Sequence, residues 1–223
     1  FALTSDTRGA RSVAIGGDAL ANQNFTTAST SFNTAVGYSA GKSVTTGQSN
    51  TLTGYESGKS LTTGFANTVL GSAALSTEDT GRYNVAIGAG TLENQNNDAD
   101  NYNVAVGYNA GNDITTGVEN TLIGSLAGDA LTDADFNIAI GWGALGADTK
   151  GNKSVAIGTG ALDAQNFTTS TDTHNTAVGH GAGGAATTGT KNNFIGSLSG
   201  DAITEGSQNV ALGTETLSSD TLG

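Results

Sequence analysis

The sequence predicts an all-β fold, a β-solenoid, on three observations. First, a five-residue motif, Asn-Val/Thr-Ala-Ile/Val-Gly, recurs twelve times, ending on Gly16, Gly37, Gly54, Gly71, Gly88, Gly107, Gly124, Gly141, Gly158, Gly179, Gly196 and Gly213. Second, eight of the eleven intervals between these glycines are 17 residues, and the exceptions of 21, 19 and 21 fall at every fourth step. Third, the chain is rich in glycine (34 of 223 residues) and has no proline, while Val and Ile return at fixed places in the period. Self-similarity at a fixed short period is the mark of stacked coils, each burying its apolar face against the next. The reading is one repeat domain over residues 1–223, built of twelve coils of about 17 residues in three four-coil super-repeats. These super-repeats span about residues 10–81, 82–151 and 152–223, and residues 1–9 read as the tail of a preceding coil.

Each coil is expected to hold two short strands joined by turns. The residue before the key glycine is apolar in eleven coils, Thr53 being the exception, and the residue three before it is Val, Thr or Ile in all but one. The two alternate to one face, as an extended strand requires. Between them stands a small residue, usually Ala (Ala14, Ala35, Ala86, Ala105), which implies that the second face is covered closely as well. The twelve glycines mark corners of positive φ or close backbone approach.

A packed interior is legible in a compensation. Four residues after the key glycine stand Leu20, Leu75, Leu92, Leu145, Leu162 and Leu217 in the first and fourth coils of each set, and glycine in the second and third. The glycine-bearing coils place Val44, Leu61, Ile114, Leu131, Ala186 or Ile203 three positions later, where the leucine-bearing coils have Gln, Glu or Asp. One plug per coil from either of two positions is what a narrow core needs. The asparagine that opens ten of the twelve motifs has two open readings: a side-chain ladder between coils about 4.8 Å apart, or a local turn residue.

Composition narrows the function. The net charge of −12 is spread along the chain, which disfavours nucleic-acid binding, and no apolar run reaches the length of a membrane span. With no cysteine there are neither disulfides nor thiolate metal sites. Both ends fall mid-coil and in phase, so a slice of a longer array, or end-to-end stacking of chains, is expected.

The motif Ser12-Val13-Ala14-Ile15-Gly16, returning at Asn84 to Gly88 and Ser154 to Gly158, resembles the head repeat of YadA-like trimeric autotransporter adhesins. The form Asn33-Thr34-Ala35-Val36-Gly37-Tyr38, again at Asn103 to Tyr108, with Thr-Thr-Gly a few residues on, is similar to repeats of phage tail fibres. The resemblance covers the whole chain. It implies a left-handed β-roll, three chains side by side as a homotrimer, and an extracellular, cell-surface or virion location.

Candidate recognition residues lie where the coil lengthens. The loops Ala21 to Phe32, Glu93 to Tyr102 and Asp163 to His174 follow the first coil of each set, and two of them share Gln-Asn-Phe-Thr-Thr, with Phe25 and Phe167. Loops on a rigid scaffold commonly carry recognition. An aromatic pair follows each loop: Phe32 with Tyr38, Tyr102 with Tyr108, and His174 with His180. Such rings stack on a sugar face or plug a partner's groove, or else cover a loop base or an inter-chain seam. The two histidines occupy ring positions of the repeat and read as packing substitutes. Arg8, Arg11, Arg82, Lys150 and Lys153 cluster at the super-repeat junctions, on a solvated surface, opposite a partner's acids or placed to bind an anionic glycan.

No catalytic, cofactor or metal residue is assigned. Asn97-Asp98-Ala99-Asp100-Asn101 lacks the glycine and final glutamate of a Ca²⁺ loop. Two strings matching G-x-G-x-x-G, at Gly141 and Gly179, are by-products of the repeat with no helix pattern after them. The expected function is a structural or adhesive fibre segment, not an enzyme. Its partners would be copies of itself and a host receptor or glycan, with no membrane insertion in this stretch. The alternative is a monomeric ice- or surface-binding solenoid, suggested by Thr-Thr-Gly at Thr45, Thr62, Thr115 and Thr187.

Overall fold

A computed structural model describes residues 1–222. It is an all-β parallel solenoid of about twelve coils, with no helix among the described residues. The chain divides into two compact units, Phe1–Asn109 and Ala110–Gly223.

In the first unit the motif strands are β2 (Val13–Ile15), β4 (Thr34–Val36), β5 (Thr51–Thr53), β6 (Thr68–Leu70), β7 (Val85–Ile87) and β8 (Val104–Val106), paired in that order and all parallel. The register sets like on like: Ala14 lies beside Ala35, Ala35 beside Leu52, and Ile15 beside Val36. In the second unit β9 (Thr121–Ile123), β10 (Ile138–Ile140), β12 (Val155–Ile157), β14 (Thr176–Val178), β15 (Asn193–Ile195) and β16 (Val210–Leu212) form the same ladder. Within each unit the key glycines stack in a column, each facing the carbonyl of the glycine one coil on, as Gly37 faces Gly54 and Gly141 faces Gly158.

A second strand in every coil is not found. The return side is a run of turns, because the residues two and four after the key glycine adopt left-handed backbone: Asp18 and Leu20 at φ 58° and 49°, Glu56 and Gly58 at 54° and 53°. Two left-handed residues so close together interrupt an extended run. The turns are still bonded coil to coil, Leu20 N–H to Ala40 O (3.0 Å), Gly41 N–H to Ser57 O (2.9 Å) and Gly58 N–H to Ala74 O (2.9 Å). Among the described residues extra strands occur only beside the lengthened loops, where β1 (Gly9–Ala10) pairs with β3 (Ser29–Thr30) and β11 (Gly151–Asn152) with β13 (Thr171–Asp172).

The interior is filled as the compensation predicts. Leu20, Leu75, Leu92, Leu145 and Leu162, and Val44, Leu61, Ile114, Leu131, Ala186 and Ile203, are all fully buried, and only Leu217 is partly exposed. A third position joins the exchange, the middle residue of the strand. Leu52, Leu122 and Phe194 stand there in glycine-bearing coils, and a side chain at Gly58, Gly128 or Gly200 would strike them.

One expectation is reversed. The middle residue of each motif strand, Ala in most coils, faces the core and is buried except at Ala14 in the first coil, whereas the residues flanking it point outward. The interior beneath the strand is shared with the plugs of the return side, so a methyl group fills it in most coils and the larger Leu52, Val69, Leu122 and Phe194 fill it in the others. The closely covered second face is the solenoid's own interior.

The asparagine ladder is present. Asn50 N–H donates to Asn33 Oδ1 (2.9 Å), Asn67 N–H to Asn50 Oδ1 (3.1 Å) and Asn84 N–H to Asn67 Oδ1 (3.0 Å). The amide nitrogens of Asn33, Asn50 and Asn67 donate to the carbonyls of Gly47, Gly64 and Gly81. The second unit repeats this with Asn120, Asn137, Asn175 and Asn192. The rungs at Asn33, Asn50, Asn67, Asn120, Asn137, Asn175 and Asn192 are buried and bonded, which keeps so polar a column inexpensive, while the amide nitrogens of Asn84 and Asn209 are buried without a partner.

Candidate functional site

The outward strand residues leave an apolar face on each unit. In the first unit Val13, Ile15 and Leu70 are 47%, 59% and 50% exposed; in the second, Ile123, Ile138, Ile195, Val210 and Leu212 are exposed as well. Rings flank the strands in sequence on both sides. After the glycine corner come Tyr38, Tyr55, Tyr108 and Trp142, and before the motif come Phe32, Tyr83, Tyr102 and Phe136, all exposed. A monomeric soluble protein rarely shows so regular an apolar patch.

The predicted site residues separate into two groups. Phe32, Tyr38, Tyr102, Tyr108, His174 and His180 are exposed and available to a partner. Phe25 and Phe167 are not, being only 4% and 7% exposed. Their loops fold back over the coil, so these rings close the core instead of projecting from it.

The rings also pair along the coil axis rather than across the coil. Tyr38 stacks on Tyr55 (centroids 5.8 Å apart) and Tyr83 on Tyr102 (5.0 Å), while the Arg11 guanidinium lies over Phe32 (5.5 Å). The basic residues at the junctions are engaged within the chain: Arg82 with Asp100 at 3.0 Å, Lys150 with Asp133 at 3.4 Å, Lys153 with Asp172, and Arg8 with the Thr26 carbonyl.

The acidic stretch 97–101 does not converge. Asp98 accepts from Thr80, Asp100 pairs with Arg82, and Asn101 donates to Glu78. Among the described residues no group of three or more His, Asp or Glu side chains is arranged to hold a metal ion. The threonines that suggested an ice-binding array, Thr45, Thr62, Thr115 and Thr187, turn their hydroxyls onto carbonyls of the next coil.

Sequence reasoning missed a buried polar cluster at each junction. The polar residues seven after the key glycine, read there only as lacking a plug, meet in stacked pairs: Asp6 with Gln23, Glu78 with Gln95, and Asp148 with Gln165. Each glutamine donates to the carboxylate of the preceding coil and accepts from the motif asparagine, Asn33, Asn103 or Asn175, at 2.8–2.9 Å. Burial pushes the Asp6 carboxyl up, but bonds from Gln23 and from the Gly9 and Arg8 N–H groups outweigh it and hold the carboxyl low. The signal was the recurrence of Gln-Asn at the start of all three lengthened loops.

Two carboxyls of the second unit are strained electrostatically. Burial, and then Asp113 and Asp163, push Asp129 above the usual range; burial, and then Asp133, do the same for Asp135. A folded-state value above the unfolded one means the folded chain binds the proton more tightly. The penalty is therefore present above the folded value and is relieved as pH falls through it toward about 4, the unfolded value. Asp129→Asn is expected to raise the Tm by about 2 °C at pH 7, with the gain gone near pH 3. Melts of both proteins at the two pH values check this, and an equal gain at both would contradict it.

Comparison with protein-family models, with curated proteins and with solved structures finds no match to this chain.

Proposed function

We propose that this chain is a structural, adhesive fibre segment of an extracellular surface or virion. In this reading copies of the chain associate side by side, three to a fibre, through the exposed faces of their parallel strands. The four-coil super-repeat is then the unit of the fibre, with the lengthened loops recurring at each one.

The observation that carries the reading is the outward-facing row of Val, Ile and Leu along the strands of each unit. Most coils turn a small residue to their own interior and leave Val, Ile or Leu outside, although Thr51 and Thr53 flank a buried Leu52 and Asn193 flanks a buried Phe194. A solvated sheet face would carry polar residues at those positions. Pairing such faces between copies removes apolar surface from water at about 25 cal/mol per Å². The protein is proposed to be non-catalytic, with the rings bordering the face available to a host receptor or glycan.

Sedimentation equilibrium tests this. The parent protein should be an oligomer well above about 1 µM, a concentration at which an interface of ordinary size is largely formed. Ile123→Lys with Ile195→Lys should give a monomer of unchanged far-UV circular dichroism, because both residues face outward. A parent protein that stays monomeric there overturns the reading.

A further inference from the structure

The ring column of the first unit borders a groove of about 310 Å³ lined by Thr46, Gln48, Ser49, Thr63 and Phe65. We propose that this groove binds a neutral oligosaccharide. The proposal deepens the adhesive reading above by naming a ligand class and a place, and it does not depend on self-association.

Phe65 forms the apolar wall. Arg82 lies over its ring at 5.1 Å, and Tyr83 meets it edge-on at 5.2 Å, itself stacked on Tyr102. The ring is therefore fixed before any ligand arrives, so little side-chain freedom is lost on binding. The remaining ring surface toward the groove suits the C–H face of a pyranose, an apolar plane edged by hydroxyls.

The other walls suit those hydroxyls. The side chains of Thr46, Gln48, Ser49 and Thr63 are uncharged donors and acceptors, all exposed. Their one hydrogen bond to the protein is a long one, from Gln48 Nε2 to Ser29 Oγ at 3.5 Å. Through that contact the groove adjoins a second, wider one of about 420 Å³ lined by Arg8, Ala10, Ala28, Ser29 and Thr30, so a chain of several sugars has somewhere to run.

Charge selects the neutral class. No carboxylate or amine lines the first groove, Arg82 is engaged by Asp100, Arg8 donates to the Thr26 carbonyl, and the net charge of −12 repels a polyanion.

The repeat supplies an internal control. At the equivalent places in the later coils Phe65 is replaced by Asp135 and Ser207, Gln48 by Val118 and Thr190, and Thr63 by Asp133 and Glu205. The coils fold alike with or without the ring, so the fold does not require it there. A feature present once in a repeat, where the architecture tolerates its absence, calls for another use.

The test is an array of neutral cello-, malto-, xylo- and chito-oligosaccharides and acidic glycans probed with the full chain, followed by titration calorimetry on the ligand found. A neutral oligosaccharide should bind, and Phe65→Ala should weaken it about tenfold or more. Gln48→Ala, at an exposed side chain whose bond to Ser29 is long, should weaken it by a smaller factor with the melting temperature unchanged. Phe136→Ala, at an exposed ring of the other unit, should leave binding intact. Selection of acidic glycans or of an extended peptide, binding that survives both groove variants, or no neutral ligand at all would overturn the proposal. Sedimentation of the same variants separates a failure here from a failure of the fibre reading, since none of them alters the outward strand residues.

Discussion

Gly88→Ala should cost about 4 kcal/mol or more and abolish cooperative melting of the first unit, whereas Gly160→Ala should cost only about 1 kcal/mol. Both glycines have positive φ, +135° at Gly88 and +63° at Gly160. The difference lies in what a methyl group would meet. At Gly88 it would sit on the carbonyl of Gly107 in the next coil, with the Thr91 hydroxyl 2.9 Å away. At Gly160 it would meet nothing within 4 Å. Thr91 cannot swing aside freely, because its hydroxyl donates to the carbonyls of both Gly88 (2.7 Å) and Gly107 (2.9 Å). The clash is with backbone, so relief requires the two coils to separate, and with them the pairing of Val85 with Val104 and Ile87 with Val106. In a stacked repeat each coil is held mainly by its neighbours, so one opened interface removes the coupling across it. Urea titrations of the two variants beside the parent decide the matter. If Gly88→Ala unfolds within 1 kcal/mol of the parent, the glycine column is not what sets the coil spacing.

Much of this architecture was legible in the residues, and the parts that were not share a cause. The period, the glycine corners and the exchange of plugs between Leu20 or Leu75 and Val44 or Leu61 follow from spacing, and spacing survives folding unchanged. The asparagine column needed only the choice between a ladder and a local turn, and the ladder is the one made, with bonds to residues 14 and 17 positions away. What spacing cannot give is direction. A strand reading Val-Ala-Ile invites the inference that Val and Ile are inside, because large apolar residues usually are. Here the plugs of the return side take up much of the interior, so the single inward residue of the strand is usually Ala and the flanking Val and Ile face out. The same blindness hid Phe25 and Phe167, which lie in lengthened loops and looked like recognition residues until the loops were seen to fold back. The exposed rings Phe32, Tyr38, Tyr102 and Tyr108 were found because they stand at fixed places in the motif. Phe65 was not, because it occurs at its place once and no repeat announces it.

The junction clusters carry the second large effect: Glu78→Ala should destabilise the first unit by about 3–5 kcal/mol, comparable to truncating a core leucine. Glu78 is fully buried and its carboxylate gathers six donors. One oxygen takes the N–H groups of Asp79, Thr80 and Gly81, closing its own turn. The other takes the side chains of Gln95 and Asn101 and the N–H of Asn97, tying in the loop of the next coil. Alanine would strand the buried donors among them, those of Gly81, Gln95 and Asn101, and each buried unpaired donor costs about 1–3 kcal/mol. The choice of acid also fits the loop it serves. The 19-residue interval is paired with Glu78, and the two 21-residue intervals with the shorter Asp6 and Asp148. In the longer loop the chain comes back to the acid, Phe167 N–H reaching Asp148 at 2.9 Å; in the shorter one the acid reaches out to Asn97. Glu78→Asp, which withdraws the carboxylate by about 1.5 Å, should therefore keep the bonds within the turn and lose those to the loop, for about half the loss seen with alanine. Glu78→Gln should fall in the same range, since its new N–H₂ faces donors on whichever side it is turned. Hydrogen exchange at Asn97, whose N–H donates to Glu78, separates these cases: protection lost there in Glu78→Asp while Gly81 remains protected is the expected pattern. If Asn97 stays protected in that variant, the match between acid length and loop length has no physical basis.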